Sequence, residues 1–124
     1  MRLALIVAVL CLAAPAAAQA TYRDFRSPSG KLGCAFYSDA ETPPMVRCDW
    51  QGADDEAIVL RETGRARIRH VTDSVMNPEA MVLRYGRSTT FRQLKCTSRR
   101  RGITCRSLAS GHGFRVSVAK RERF

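Results

Sequence analysis

Two cysteines in the last third of the chain place the strongest constraint on its fold. Cys96 and Cys105 are separated by eight residues, and Arg99-Arg100-Arg101-Gly102 lies between them. Apolar or β-branched residues occur on both sides of this turn-like segment, namely Phe91, Leu94, Thr97, Ile103, Thr104 and Leu108. The pattern predicts a β-hairpin joined by a disulfide near its turn, with Gly102 supplying backbone angles that other residues adopt poorly.

The other cysteines predict a second disulfide. Residues 21–124 contain four cysteines, and an even number in a small exported domain is typical of disulfides. Three pairings are possible, and proximity in sequence favours Cys34–Cys48 and Cys96–Cys105, each stabilising the fold by roughly 2–3 kcal/mol. A zinc site is the alternative, but the chain lacks a Cys-x-x-Cys motif, so no metal or other cofactor is expected.

Residues 1–20 are predicted to form a signal peptide. Arg2 precedes an apolar run over residues 3–14, and Ala18-Gln19-Ala20 has the pattern of a cleavage site. The run is too short for a transmembrane anchor. Lipidation at Cys11 is an alternative, although Leu10 stands where a small residue would be expected. We therefore expect a secreted or periplasmic protein with one mature domain, residues 21–124.

The mature sequence is predicted to be all-β. Residues 32–38 and 45–50 have strand-like patterns, and the loop over residues 39–44 ends in two prolines. Residues 21–29 are interpreted as a lead-in whose Tyr22 and Phe25 pack on one side. Three acids, Asp54 to Glu56, come before an apolar run that suits a strand slightly better than a helix.

The remaining strands follow from alternation. Ala66, Ile68 and His70 alternate with three arginines, which predicts a half-buried strand over residues 65–71. Further strands are expected over residues 81–85 and 114–119. The result is a small antiparallel sandwich or barrel-like sheet of about seven short strands, stapled by two disulfides.

Several motifs carry a resemblance to a known family. In chain order they are Pro28-Ser29-Gly30 with Gly33-Cys34, Arg47-Cys48-Asp49, Tyr85-Gly86, Gly102-Ile103-Thr104 within the Cys96–Cys105 segment, and Gly111-His112-Gly113-Phe114. They resemble a family of small exported bacterial domains of unknown function, over roughly residues 25–124. Family members often carry another cysteine pair near the position of His70, which this chain lacks. The resemblance implies secretion, disulfides and a compact β-rich domain, but no activity.

Positive charge is concentrated in the second half of the chain. Residues 21–62 carry a net charge of −3, whereas residues 63–124 carry +12, and only Lys31, Lys95 and Lys120 among these basic residues are lysines. Such asymmetry is typical of a protein with an anionic partner. A bias in nucleotide composition would also favour arginine, so both explanations stay open.

Two arginine groups are the candidate binding residues. Arg99, Arg100 and Arg101 at the hairpin turn could hold phosphate or carboxylate, or could be a solvated turn that protects a sheet edge. Arg65, Arg67 and Arg69 form a second row on one strand face, which suits a flat anionic surface better than a small pocket.

The histidines and acids are weaker candidates. His112 is expected in a glycine turn with its imidazole bonded to nearby backbone, and the alternative is a ligand contact or general base on an exposed loop. His70 is expected to be a partly buried residue with satisfied hydrogen bonds. A secreted ribonuclease using the histidines lacks supporting spacing. Asp54, Asp55 and Glu56 do not match a calcium loop.

The function expected from the sequence is therefore binding without catalysis. The partner would be an anionic envelope component or an acidic protein face, with nucleic acid less favoured, and the protein is expected to be monomeric. One alternative is an inhibitor-like protein that inserts the Arg99–Arg101 turn into an enzyme cleft. A third possibility is a weak hydrolase or ribonuclease using His112.

Overall fold

The computed structural model describes residues 6–13 and 19–124. Residues 1–5 and 14–18, which include Arg2 and the first residue of the predicted cleavage site, Ala18, lie outside the described residues. Residues 6–13 are exposed and form no regular secondary structure. Within the described part, no helix is long and apolar enough to cross a membrane.

Eleven β-strands make up the regular structure of the described residues. They are β1 (Thr21–Arg26), β2 (Leu32–Ser38), β3 (Met45–Trp50), β4 (Glu56–Arg61), β5 (Arg67–His70), β6 (Met81–Val82), β7 (Ser88–Phe91), β8 (Leu94–Arg99), β9 (Gly102–Ser107), β10 (Gly113–Val116) and β11 (Arg121–Arg123).

The strands form two sheets. The six-stranded sheet has the order β5-β4-β3-β2-β1-β6, and the five-stranded sheet has the order β11-β10-β9-β8-β7. All neighbouring strands are antiparallel except β1 and β6, which run parallel. The predicted all-β fold is confirmed, although the expected number of strands was too low.

Both predicted disulfides are present and lie in the core. Cys34 pairs with Cys48 directly across β2 and β3, and Cys96 pairs with Cys105 directly across β8 and β9. All four cysteines are fully buried on the inner faces of the two sheets. The disulfides therefore fix the register of the central hairpin in each sheet.

The predicted hairpin needs glycine at its turn for two reasons. Gly102 has a φ of +136°, which a residue with a Cβ rarely adopts. A Cβ at this position would also overlap the backbone carbonyl of Val116 on the neighbouring strand. Gly102 thus permits both the turn and the close approach of β10.

One hydrophobic cluster fills the space between the sheets. Phe36 lies at its centre, with its ring centroid 5.4 Å from that of Phe25 and 5.5 Å from that of Phe91. Arg23 of β1 covers the side of this cluster that faces β7. Its guanidinium lies 5.2 Å from the Phe36 ring centroid and donates to the carbonyl of Thr90 at 2.5 Å. Burial of this cluster supplies the main driving force for folding.

The two ends of the sandwich differ in the residues that lie there. At the end where the Arg99–Gly102 turn lies, Ser29, Lys31, Arg99 and Arg100 line a shared concavity. At the other end, Glu62 accepts hydrogen bonds from the backbone of Gln93 and from the hydroxyl of Ser107, at 2.9 and 2.6 Å. We call these the tip end and the Glu62 end.

Several predicted boundaries differ from the structure. The expected lead-in is strand β1, in which Tyr22 and Phe25 lie on opposite faces because they are three positions apart; Tyr22 is exposed and Phe25 is buried. The predicted strand over residues 81–85 is only Met81–Val82, and that over residues 114–119 ends at Val116.

The strand predicted over residues 65–71 is present as β5, and Ala66 just before it is buried, but the predicted burial of Ile68 and His70 was wrong. β5 is the outermost strand of its sheet, and all four of its residues are exposed. The five-stranded sheet packs against β4 through β9 and β10, so the inward-facing side of β5 has little to cover it. The side chain of His70 is consequently 73% exposed.

Removing either disulfide is expected to destabilise the fold without changing its architecture. We expect the double substitution Cys96→Ala/Cys105→Ala to lower the free energy of unfolding by about 2–3 kcal/mol, because the unfolded chain loses a loop constraint. Urea denaturation followed by circular dichroism measures this change. The matched control is Cys34→Ala/Cys48→Ala, which should cost a similar amount; no loss in either variant would contradict the prediction.

Candidate functional site

A crossing segment, residues 71–80, determines which part of the six-stranded sheet is open to a partner. It leaves β5 at one edge of the sheet and reaches β6 at the other edge. On its way over the outer face, the amide of Asn77 donates to Asp24 at 3.0 Å, and the backbone carbonyl of Ala80 accepts from Arg26 at 3.2 Å. Only the Glu62 end of this face therefore stays uncovered.

Arg47 and Asp49 hold the crossing segment to the sheet. Arg47 donates to both carboxylate oxygens of Asp49, at 2.8 and 3.0 Å, and to the carboxylate and the carbonyl of Asp73, at 2.7 and 2.9 Å. Asp49 is buried and also accepts from the backbone amide of Val75 at 3.1 Å. The guanidinium also lowers the pKa of Asp73 below its usual value. The positive charge of Arg47 is therefore already used within the fold.

The same face favours a glycine beneath the crossing segment. A Cβ on Gly33 would lie 3.0 Å from the sulfur of Met76 and 3.1 Å from its Cα, closer than ordinary packing permits. Gly33 thus explains how the segment can lie directly on β2.

Four arginines line the uncovered part of this face. The register places Val59 of β4 opposite Arg67 of β5, and alternation along β4 puts Arg61 on the same face. Arg65, just before β5, lines the same concavity. With Arg69, they surround a concavity of about 190 Å³ next to Gly64 and Thr63. We call Arg61, Arg65, Arg67 and Arg69 the arginine cluster.

The arginine cluster has no internal counterion. Across residues 6–13 and 19–124, each ion pair uses other basic residues, namely Arg47, His70, Arg115 and Lys120. All four members of the cluster are exposed. Four guanidinium groups on β4, β5 and the connection between them, without paired carboxylates, create a local positive potential that favours an anion.

An apolar and aromatic surface adjoins the arginine cluster. Met45 of β3 lies opposite Arg61, and Tyr37 of β2 lies opposite Met45. Met45, Tyr37 and Tyr22 line a concavity of about 290 Å³. The Tyr37 hydroxyl bonds to Asp39 and, with the backbone amides of Glu41 and Thr42, lowers the pKa of Asp39 to about 2.

The Arg99–Arg101 turn is a different kind of surface. The guanidinium of Arg100 lies 5.3 Å from the Tyr85 ring centroid, and Arg99 and Arg100 both line a concavity of about 230 Å³ beside Lys31 and Ser117. Arg101 is exposed. Two of the three predicted tip arginines therefore pack along the protein surface rather than projecting freely.

The two predicted arginine groups do not form one surface. Arg99–Arg101 belong to the five-stranded sheet at the tip end, whereas Arg61 and Arg65 lie near Glu62 at the other end of the six-stranded sheet. A partner that contacts the arginine cluster would not reach the hairpin tip along the same face.

His112 lies in a tight turn, as the sequence predicted. Gly111 has a φ of +79°, the Gly111 amide donates to the carbonyl of Ser107 at 2.9 Å, and the carbonyl of His112 accepts from the Ser107 amide at 2.9 Å. The predicted bond from the imidazole to nearby backbone is not found among the described residues. The turn is thus held by its backbone and by Ser107.

The two histidines do not meet. His70 pairs with Glu56 at the tip end of the six-stranded sheet, whereas His112 is adjacent to Ser107 at the Glu62 end of the other sheet. Asp54, Asp55 and Glu56 lie exposed before and at the start of β4. In the described ranges, no group of three or more histidine, cysteine or acidic side chains is placed to hold a metal ion.

Sequence reasoning missed Arg61 as a member of the site. The run Ile58-Val59-Leu60 was correctly assigned to a strand, and alternation places residues 57, 59 and 61 on one face. The short connection to β5 then makes Arg61 a neighbour of the predicted arginine row. Extending the alternation by one residue would have identified it.

The fold and this surface define a small disulfide-stapled β-sandwich with an unpaired arginine cluster on one outer face. No protein-family model matches the sequence, and neither a curated protein nor a solved structure shows significant similarity to it. The resemblance to small exported bacterial domains therefore stays a prediction.

The structural and the unpaired arginines are expected to respond differently to substitution. Arg47→Met should lower the free energy of unfolding by about 3 kcal/mol, because it leaves the buried carboxylate of Asp49 without its counterion. Arg61→Met, on the neighbouring strand, should change it by less than about 0.5 kcal/mol, since that side chain is exposed and unpaired. Chemical denaturation of both variants measures the contrast, and equal losses would contradict it.

Proposed function

We propose that this protein is an exported binding module without catalytic activity, which engages an anionic partner through the arginine cluster. The partner would be an anionic envelope component or an acidic protein face, and the module would act as a monomer. The observation that carries the proposal is the concentration of four unpaired guanidinium groups around one concavity.

The chemistry of arginine supports this choice of partner. A guanidinium is planar, keeps its charge at all physiological pH values and can donate two parallel hydrogen bonds to a carboxylate or phosphate. Because Arg61, Arg67 and Arg69 lie on paired strands, the spacing of their Cα atoms is set before binding. Little backbone ordering is then required when an anion binds.

The cysteines and the predicted signal peptide support an exported location. Two buried disulfides between paired strands are typical of proteins that fold in an oxidising environment. With the predicted signal peptide, they favour a periplasmic or secreted location. Anionic lipids, cell-wall polymers and acidic protein surfaces are all present there.

The inhibitor-like alternative depends on the hairpin tip. Its support is the disulfide that fixes β8 to β9 and the exposure of Arg101. Its weakness is that Arg100 stacks on Tyr85, so the tip would have to give up this contact to enter a cleft. The hydrolase alternative has less support, because His70 and His112 lie at opposite ends.

Polyanion binding tests the proposal with matched charge changes. We expect the mature oxidised protein to bind poly-L-glutamate and inorganic polyphosphate with an affinity that falls steeply as salt rises. Arg65→Ser/Arg67→Ser/Arg69→Ser should abolish most of this binding and reduce the logarithmic salt slope by roughly two to three units. Fluorescence titration at several ionic strengths measures both quantities.

The control variant is Arg99→Ser/Arg100→Ser/Arg101→Ser, which removes the same formal charge from the hairpin tip. It should keep most of the affinity if binding occurs at the arginine cluster. Equal losses in the two variants would mean that net charge alone governs binding. A loss confined to the tip variant would favour the inhibitor-like alternative instead.

A further inference from the structure

The outer edge of β5 offers backbone groups to an additional strand. Val71 donates its amide to the carbonyl of Asp55 at 2.8 Å, and the same register pairs Arg69 with Ala57. In an antiparallel pair, hydrogen-bonded and non-hydrogen-bonded positions alternate. The amides and carbonyls of Arg67 and Arg69 therefore face β4, whereas those of Ile68 and His70 face away from the sheet.

The side chains of β5 present different chemistry on its two faces. Arg67 and Arg69 point to the outer face, within the arginine cluster. Ile68 points to the opposite face and is 39% exposed, since the five-stranded sheet does not extend beneath it. A strand added here would meet positive charge on one face and an uncovered apolar side chain on the other.

The arginines disfavour pairing between two copies of this edge. An antiparallel β5–β5 pair would place Arg67 and Arg69 of both copies on the same face of one continuous sheet. Like charges on adjacent strands are destabilising. The edge thus rejects a second copy of itself but remains open to a strand of opposite charge.

We propose that the partner of the arginine cluster is an extended acidic polypeptide segment that adds to the edge of β5 as a further strand. Acidic side chains at alternate positions lie beside Arg67 and Arg69, and apolar side chains between them cover Ile68. Main-chain hydrogen bonds to Ile68 and His70 hold the segment in register. This inference rests on the proposed function and specifies its ligand.

A polypeptide fits this edge better than another polyanion does. Alternate side chains of a strand are about 6.8 Å apart, the same spacing as Arg67 and Arg69 on β5. Only a main chain with its own amides and carbonyls can bond both the donors and the acceptors of Ile68 and His70. A phosphate polymer or a lipid surface would satisfy the arginines and leave these groups to water.

The test uses a short capped peptide in which valine and glutamate alternate, added to the mature oxidised protein. Three forms are compared: the parent peptide, one N-methylated on every valine, and one N-methylated on every glutamate. N-methylation removes the amide donors along one edge of an extended peptide. Isothermal titration calorimetry measures the affinity of each form.

Strand addition predicts that only one of the two methylated peptides loses affinity, by about tenfold or more, because only one edge of the peptide faces β5. The peptide methylated on valine loses affinity if the added strand is antiparallel, since the valine amides then donate to the backbone of Ile68 and His70. The peptide methylated on glutamate loses affinity if the added strand is parallel. Equal binding by both forms, or equal loss in both, overturns the proposal.

A matched pair of protein variants provides a second test. His70→Pro removes an amide that faces the open edge but leaves the ladder to β4 intact, so the unfolding temperature should not change. It should weaken binding of the parent peptide by about 3- to 10-fold. His70→Ala retains the amide and should bind like the wild type. Equal affinity of the two variants contradicts strand addition.

The outcomes also separate this inference from the proposed function. If poly-L-glutamate binding depends on Arg65, Arg67 and Arg69 but the peptide tests show no dependence on main-chain amides, the arginine cluster binds anions and strand addition is wrong. If neither poly-L-glutamate nor polyphosphate binds, the proposed function itself is wrong. Binding of polyphosphate alone would point to a phosphate-bearing partner and overturn the polypeptide ligand.

Discussion

The ion pair between Arg47 and Asp49 is the interaction on which the exposed surface of this protein depends. The chain must pass from β5 at one edge of the six-stranded sheet to β6 at the other, and it does so across the outer face. A buried carboxylate is costly without a counterion, and here it bonds both the guanidinium and the Val75 amide of the crossing segment. The segment is thereby fixed over the tip end, and the Glu62 end with its arginine cluster remains open.

The core imposes a second constraint, because it is small and contains both disulfides. Cys34–Cys48 and Cys96–Cys105 lie on the two inner faces, so each sheet carries a covalent link at its centre. A domain of this size buries a modest fraction of its surface, and covalent links offset part of the entropy of ordering the chain. The edge strand β5 lies outside this core, since all four of its residues are exposed.

The sequence predicted the strands that are marked by their own residues. It did not predict strands that depend on pairing with a neighbour, or burial that depends on the opposite sheet. β2, β3, β8 and β9 were predicted because cysteines and apolar residues mark them directly. The polar strands β7 and β11 were missed, since Ser88–Phe91 and Arg121–Arg123 form strands mainly by pairing with better-marked neighbours. The alternation of side chains around His70 was predicted correctly. The burial of His70 was not, because no local pattern reveals how far the five-stranded sheet extends.

The excess of positive charge in the second half of the chain is divided among separate roles. Arg115 is paired with Glu122, and the guanidinium of Arg121 lies 4.3 Å from the Trp50 ring centroid, so both have partners within the fold. Of the two predicted arginine groups, Arg65, Arg67 and Arg69 lie on the outer face of the six-stranded sheet, whereas Arg99–Arg101 lie at the tip end of the five-stranded sheet. A planar anionic surface that contacts the arginine cluster would therefore leave the hairpin tip unused. The proposed addition of a strand along β5 would combine the arginines with the backbone groups beside them, which attraction to a broad anionic surface would not.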